Sequence, residues 1–268
     1  MKSNRRTGRI NVALILALVI GVALLGFGAV LLRNWRGERL ANQALVDAEA
    51  AASAGDFDKA AKQYQEYLGR HPQDVAVLEK WASANLKARP RQSKHLSKAV
   101  QAYRELLRLK PGEEKYLKPL VRLHARAYDA PDQLLYWARM WHDAHPENAQ
   151  AALWLGRAMT AMGQFDDARS TLKSLADGPS SSPDAFILLA LLEVDAQPGA
   201  EGLKAARARY DEGVQRFPDS AKLAAYLGRF LLRNERNLAA ARAELTRAES
   251  LKVEGVTLHM RLFDEWTD

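Results

Sequence analysis

The sequence predicts an all-α protein, an array of paired helices carried behind one membrane-crossing helix. Three observations predict it. Alanine and leucine dominate while β-branched and alternating runs are scarce, which favours helix throughout. Three series of residues recur along the chain at a shared interval. Residues 12–32, VALILALVIGVALLGFGAVLL, contain no charged side chain.

The apolar stretch comes first. At about 1.5 Å per residue it reaches roughly 30 Å, the thickness of a bilayer's hydrocarbon core. A cleavable signal peptide, with Gly26 and Gly28 before the cut, is the competing reading. The apolar run is longer than such a peptide needs and continues through Val30, Leu31 and Leu32, which favours an uncleaved anchor. The chain then divides into a basic flank at 1–9, a transmembrane helix at 10–32 and a juxtamembrane segment at 33–38 with Gly37 as its hinge. Lys2, Arg5, Arg6 and Arg9 precede the span, and Arg33, Arg36 and Arg39 follow it. By the positive-inside rule the N-terminus is cytoplasmic and the remainder lies outside, with Trp35 at the far interface. In a bacterium that is the inner membrane, with the array in the periplasm.

Charge excludes one class of partner. The net charge is +7, but residues 1–39 hold an excess of six, so everything beyond them is nearly neutral. The basicity belongs to the flanks of the span and not to a nucleic-acid-binding domain. Cysteine is absent, which removes disulfides, thiolate metal sites and a thiol nucleophile.

The repeat begins with GDFDKAAKQYQEYLGRHPQD (55–74), a turn, a helix with one apolar face and a proline stop. Ala60 and Tyr64 return as Ala99 and Tyr103, Leu134 and Ala138, Ala168 and Leu172, Ala206 and Tyr210, and Ala241 and Leu245, at steps of 39, 35, 34, 38 and 35 residues. Pro72, Pro111, Pro146, Pro179 and Pro218 close the helices in time with them. Small residues recur on the preceding helices at Ala48, Ala82, Gly156, Ala190 and Gly228, where two backbones must approach, with Val121 the exception. Such a period marks a helical array in which each unit covers the next.

The units resemble tetratricopeptide repeats. LWLGRAMTAMGQFDDA (153–168) is similar to the core of that motif, and so are AYLGRFLLRNERNLAAA (225–241) and GDFDKAAKQY (55–64). The resemblance implies a solenoid of about six helical hairpins over 39–253. It also places the extra residues of the two long units, 89–98 and 197–202, in loops at the solenoid's edge. VEGVTLHMRLFDEWTD (253–268) reads as one more amphipathic helix, assigned to 254–268, either a cap or half of a further unit.

No phosphate-binding glycine loop, nucleophile elbow or metalloprotease helix is present in the sequence, so neither an enzyme nor a cofactor is expected. His142, Asp143 and His145 could be drawn together by a metal. His145 stands before Pro146 as His71 stands before Pro72, however, and a histidine favouring a helix C-terminus explains both. Trp137, Trp141 and Trp154 at helical spacing read as inter-repeat core, and Trp81 likewise. The basic cluster of Lys87, Arg89, Arg91, Lys94 and Lys98 reads as a solvated edge with lipid or an acidic partner as the alternative.

The resemblance also phases the first helix of each unit onto a concave groove. It directs Lys118, Arg122 and Arg126 there from the third unit, Arg157 from the fourth, and Lys222, Arg229 and Arg233 from the sixth. The fifth contributes Ile187 and Leu191, flanked by Asp184 and Asp195. A groove with basic ends and an apolar middle suits a protein or peptide segment carrying acidic residues. Arg122 stands where the family's carboxylate-holding asparagine would be wanted, so that specificity is not implied. The expected function is a membrane-tethered scaffold assisting assembly, secretion or maturation of envelope proteins, with no small-molecule substrate. A cytosol-facing import or chaperone receptor, or the membrane-proximal part of a longer protein, are the alternatives.

Overall fold

A computed structural model describes residues 12–89, 93–126 and 130–251, without the side chains of 12–24 and 93. The described residues form twelve α-helices: α1 (Val12–Ser53), α2 (Phe57–Leu68), α3 (Val75–Lys87), α4 (Ser93–Leu109), α5 (Glu114–Arg126), α6 (Pro131–Ala144), α7 (Ala149–Ala161), α8 (Phe165–Asp177), α9 (Pro183–Ala196), α10 (Ala200–Arg216), α11 (Ala221–Phe230) and α12 (Leu238–Ser250). A π-helical turn, Leu231–Glu235, prolongs α11. Consecutive helices pair as hairpins, which is the helical-hairpin solenoid class that the period predicts. The chain divides into two compact units, residues 1–109 and 110–268.

In the first unit α1 packs on α2 through Ala41, Ala44, Ala48 and Ala51, a small-residue stripe at helical spacing that lets the two backbones approach. Tyr64 of α2 is buried, and burial, followed by the charge of Glu49, pushes its hydroxyl up to about 12. Trp81, Leu78 and Ala82 carry the core of α3. In the second unit the hairpins are α5/α6, α7/α8, α9/α10 and α11/α12. Trp141, Tyr116, Phe186 and Tyr210 are their largest fully buried side chains. Each such side chain contributes about 1.5–3 kcal/mol of apolar burial, and the three tryptophans at 137, 141 and 154 are all buried.

The periodic prolines do more than end helices. Two residues after Pro72, Pro146 and Pro218 stand Asp74, Asn148 and Ser220. Their side chains accept the backbone N–H of Val77, of Gln150 and Ala151, and of Leu223, capping the next helix. Arg216 donates to the Ala176 carbonyl at 2.7 Å, and His145 Nε2 lies 2.8 Å from the Gly112 carbonyl. The histidines before the prolines therefore tie the ends of α6 and α2 back to the start of α5 and to α1, the partner helices of their own hairpins.

Gly55 and Gly163 take φ of +78° and +73° at the hairpin turns, a conformation in which a Cβ is strained. Arg236 occupies the equivalent place in the last hairpin with φ 52°, directly after the π-helical turn.

Three expectations change. α1 runs unbroken through 33–38, so Gly37 is no hinge; a Cβ there would come within 2.7 Å of the Arg70 guanidinium. The extra residues of the long units are partly helical, since α4 and α10 begin at Ser93 and Ala200 and reach 17 residues each. A helix absorbs an insertion by starting a turn earlier, which keeps those backbone groups paired within the helix. Ile187 is fully buried in the core of α9. The expected helix at 254–268 lies outside the described residues, as do most side chains of the expected span 10–32. Among the described residues no helix is long and apolar enough to cross a membrane.

Candidate functional site

The first helices of the four hairpins in the second unit share one face, and a recess opens on it. Arg122 and Arg126 reach it from α5, and Gln150, Leu153, Trp154 and Arg157 from α7. Asp184 and Leu188 come from α9 and Lys222 from α11. Each contribution follows helical spacing, which brings residues three or four apart onto one stripe.

Four cationic side chains and one carboxylate thus line the recess. Lys222 Nζ lies 2.7 Å from Asp184 Oδ1, tying the start of α11 to the start of α9. The Arg157 guanidinium stacks over the Trp154 ring, 5.2 Å from its centroid. Burial pulls the pKa of Arg157 below the ordinary guanidinium value, and the Tyr226 hydroxyl opposes that shift. The group stays charged at any physiological pH, so its desolvation is offset when an anion arrives. The recess holds about 80 Å³, against about 300–1,000 Å³ for a pocket that takes a whole small molecule. It therefore fits one side-chain-sized group, with Trp154, Leu153 and Leu188 as apolar walls.

The remaining expected residues lie elsewhere. Lys118 borders a separate depression with Glu113, Glu114, Ala144 and His145. Leu191 is exposed, one turn along α9 from Leu188, on the stripe that also carries Asp184 and Asp195. Arg229 stacks on Tyr226 at 5.9 Å, and Arg233 is exposed in the π-helical turn. Leu188 takes the place expected of Ile187. The phase used for Arg157 also reaches Gln150, Leu153 and Trp154, so the signal for those three was present in the sequence.

Behind the recess helix sits a buried carboxylate that the sequence reading missed. Glu193, at the end of the apolar run of α9, accepts hydrogen bonds from Arg169 Nη2 at 2.9 Å and Nε at 3.1 Å. Arg209 Nε lies 3.9 Å away. The hydrogen bond to Glu193 is the largest influence raising the Arg169 pKa. This cluster ties α8, α9 and α10 together and leaves α9 free to present its other side. Among the described residues no group of three or more His, Asp or Glu is placed to hold a metal ion.

Two tetratricopeptide-repeat family models match the chain, over residues 45–114 and 139–192. These stretches are tetratricopeptide repeats. A tetratricopeptide repeat protein from Parabacteroides merdae superposes with a TM-score of 0.59 at 13% identity, covering 80% of this chain and 81% of that one. PilW, a widely conserved type IV pilus biogenesis factor, superposes with a TM-score of 0.50 at 20% identity, covering 78% of this chain and 92% of that one. At such identities the likeness is one of fold. No curated protein matches the sequence. Repeats of this kind make a protein-interaction scaffold, and the recess lies on the face formed by their first helices.

Proposed function

We propose that this chain is a membrane-tethered scaffold whose repeat array grips an acidic segment of a protein or peptide. The observation that carries the binding half is the recess, a space sized for a single side chain that four cations line with one carboxylate, Asp184, already paired to Lys222. A glutamate or aspartate of the partner inserts among Arg122, Arg126 and Arg157 and competes with Asp184 for Lys222. Apolar neighbours in the partner then pack on Trp154 and Leu188. Extended or helical segments can lie along such a face.

The tether half is supported by the uncharged stretch 12–32 and by the exposure of Leu25, Phe27, Val30, Leu31 and Leu32 on α1. Contiguous exposed apolar surface of this kind seeks a bilayer or a partner. Its flanking charges favour the bacterial inner membrane, a cytoplasmic N-terminus and an array outside the cytoplasm. There its clients are envelope proteins undergoing assembly, secretion or maturation.

The binding half is tested by panning the purified protein against a displayed random-peptide library. Enriched peptides carry glutamate or aspartate, and the double variant Arg122→Glu, Arg126→Glu binds them at least tenfold more weakly with unchanged helicity. That follows from about 1.5–3 kcal/mol for each charge-assisted hydrogen bond lost. Lys118→Glu, in its separate depression, leaves binding intact. Enrichment without acidic residues, or binding that survives the double reversal, defeats the proposal.

A further inference from the structure

We infer that the bilayer lies against one end of the first unit, the loop 69–74 that joins α2 to α3, and that the basic cluster around Lys87–Lys98 faces away from it. The inference rests on the tether reading above and adds to it an orientation and a lipid-facing edge.

The starting point is that α1 is one helix from Val12 to Ser53. The apolar part and the part that packs on α2 therefore share an axis, with no break at which the array could swing. The span ends at Leu32, and Trp35 is exposed just beyond it with Arg39 stacked on its ring at 4.7 Å. An indole with a cation beside it suits headgroup depth.

The return of the chain to that level is held by charge. Arg70 Nε donates to Glu38 Oε2 at 2.9 Å, and its Nη2 donates to the Asn34 carbonyl at 3.0 Å. His71 Nε2 lies 3.0 Å from Glu38 Oε1. Gly37 leaves room for the Arg70 guanidinium, which would have to shift if a Cβ stood there, 2.7 Å from its nearest nitrogen. Residues 69–71 thus sit beside residues 34–38, within one or two helical turns of the end of the span. The opposite end of the hairpin, the turn at Ala54 and Gly55, lies 20 residues further along α1, about 30 Å at the helical rise.

The basic cluster follows the same geometry to the other end. Lys87 Nζ lies 5.4 Å from the Phe57 ring centroid, and His95 Nε2 lies 3.4 Å from Asp58 Oδ1. Both contacts are with the first turn of α2, the turn furthest from Gly69. Lys87, Arg89, Lys94 and Lys98 therefore stand at the level of the Ala54–Gly55 turn and have no lipid to meet. Their role is solubility or an aqueous partner.

The chain's lack of cysteine allows a direct test. Gln73→Cys and Ala54→Cys, both at exposed positions, are labelled with a donor fluorophore. The full chain is reconstituted in vesicles of phosphatidylethanolamine and phosphatidylglycerol carrying a headgroup-linked acceptor. Energy transfer severalfold stronger from position 73 than from position 54 is the expected result. Protein that floats with the vesicles but transfers equally from both positions, or more from 54, overturns the orientation and leaves the tether standing. Protein that does not float with the vesicles overturns the tether and the orientation together. As an internal check, a glycine-serine linker inserted after Arg33 uncouples the array and erases the difference between the two positions.

Discussion

His95 is a buried histidine on α4 whose surroundings disfavour charge. Burial is the largest influence lowering its pKa; Asp58 opposes, while Lys94, Lys98 and Lys62 lower it further. A group whose folded pKa lies below its unfolded value of about 6.5 binds fewer protons folded than unfolded in between, so stability rises with pH there. His95 thus contributes full stability above about pH 6.5 and loses it as pH falls through that value towards the lower folded pKa. Melting temperature is expected to drop between neutral and mildly acidic pH, and His95→Gln to flatten that part of the profile. An unchanged slope in the variant would assign the dependence to other groups. Glu38, Asp58 and Glu105, all held below the usual carboxylate range by partners, act only at lower pH. Single side chains of the recess were legible where their helix is amphipathic. α5 alternates charged and buried residues clearly, so Arg122 and Arg126 could be phased. α9 reads PDAFILLALLEVDA and buries residues on nearly every side, so the sequence could not tell Ile187 from Leu188. Glu193 was overlooked for the same reason, its partner Arg169 lying 24 residues earlier on another helix.

Small residues set how closely the helices of a hairpin approach. A Cβ on Gly156 of α7 would come within 2.5 Å of Leu172 Cγ on α8, and Leu172 is fully buried, so it has nowhere to retreat. Gly156→Ala is therefore expected to destabilise the chain by about 1–3 kcal/mol despite alanine's better helix propensity. The check is a double-mutant cycle in chemical denaturation. Combined with Leu172→Ala, the glycine substitution should cost less than the two single changes summed, because the new methyl fills the space vacated. Strict additivity would place the strain elsewhere. Gly228 meets Leu245 in the same way at 2.8 Å, which is why a small residue recurs at this phase. The hairpins were readable because this close approach, the alanine series and the prolines all keep one period. What the period could not reveal is where each helix starts. Proline and charge in RPRQSKHLSK read as loop, yet Ser93 already opens α4. Gly37 read as a hinge, whereas its missing side chain serves the Arg70 clamp and the helix tolerates a cost of about 1 kcal/mol.

Across the whole molecule, charge and apolarity are segregated along the chain. The excess of positive charge lies within residues 1–39, around an uncharged stretch, and the repeats that follow are nearly neutral. On the proposed reading, a nearly neutral array with a local cluster of cations in one recess selects its partner by position and not by bulk attraction. The same segregation makes sidedness testable. Ser180 is exposed in the loop between α8 and α9, and Ser180→Cys would be the only thiol in the chain. Intact bacterial spheroplasts expressing this variant are treated with a membrane-impermeant maleimide. Labelling without lysis is expected, because four basic residues precede the stretch 12–32 and three follow it, and the side richer in Lys and Arg stays cytoplasmic. Protection until lysis would reverse the orientation and move the proposed acidic partner to the cytosol. The small margin of that charge difference also supplies a control. Arg5→Gln together with Arg6→Gln inverts the bias, so the same thiol should become protected in that background.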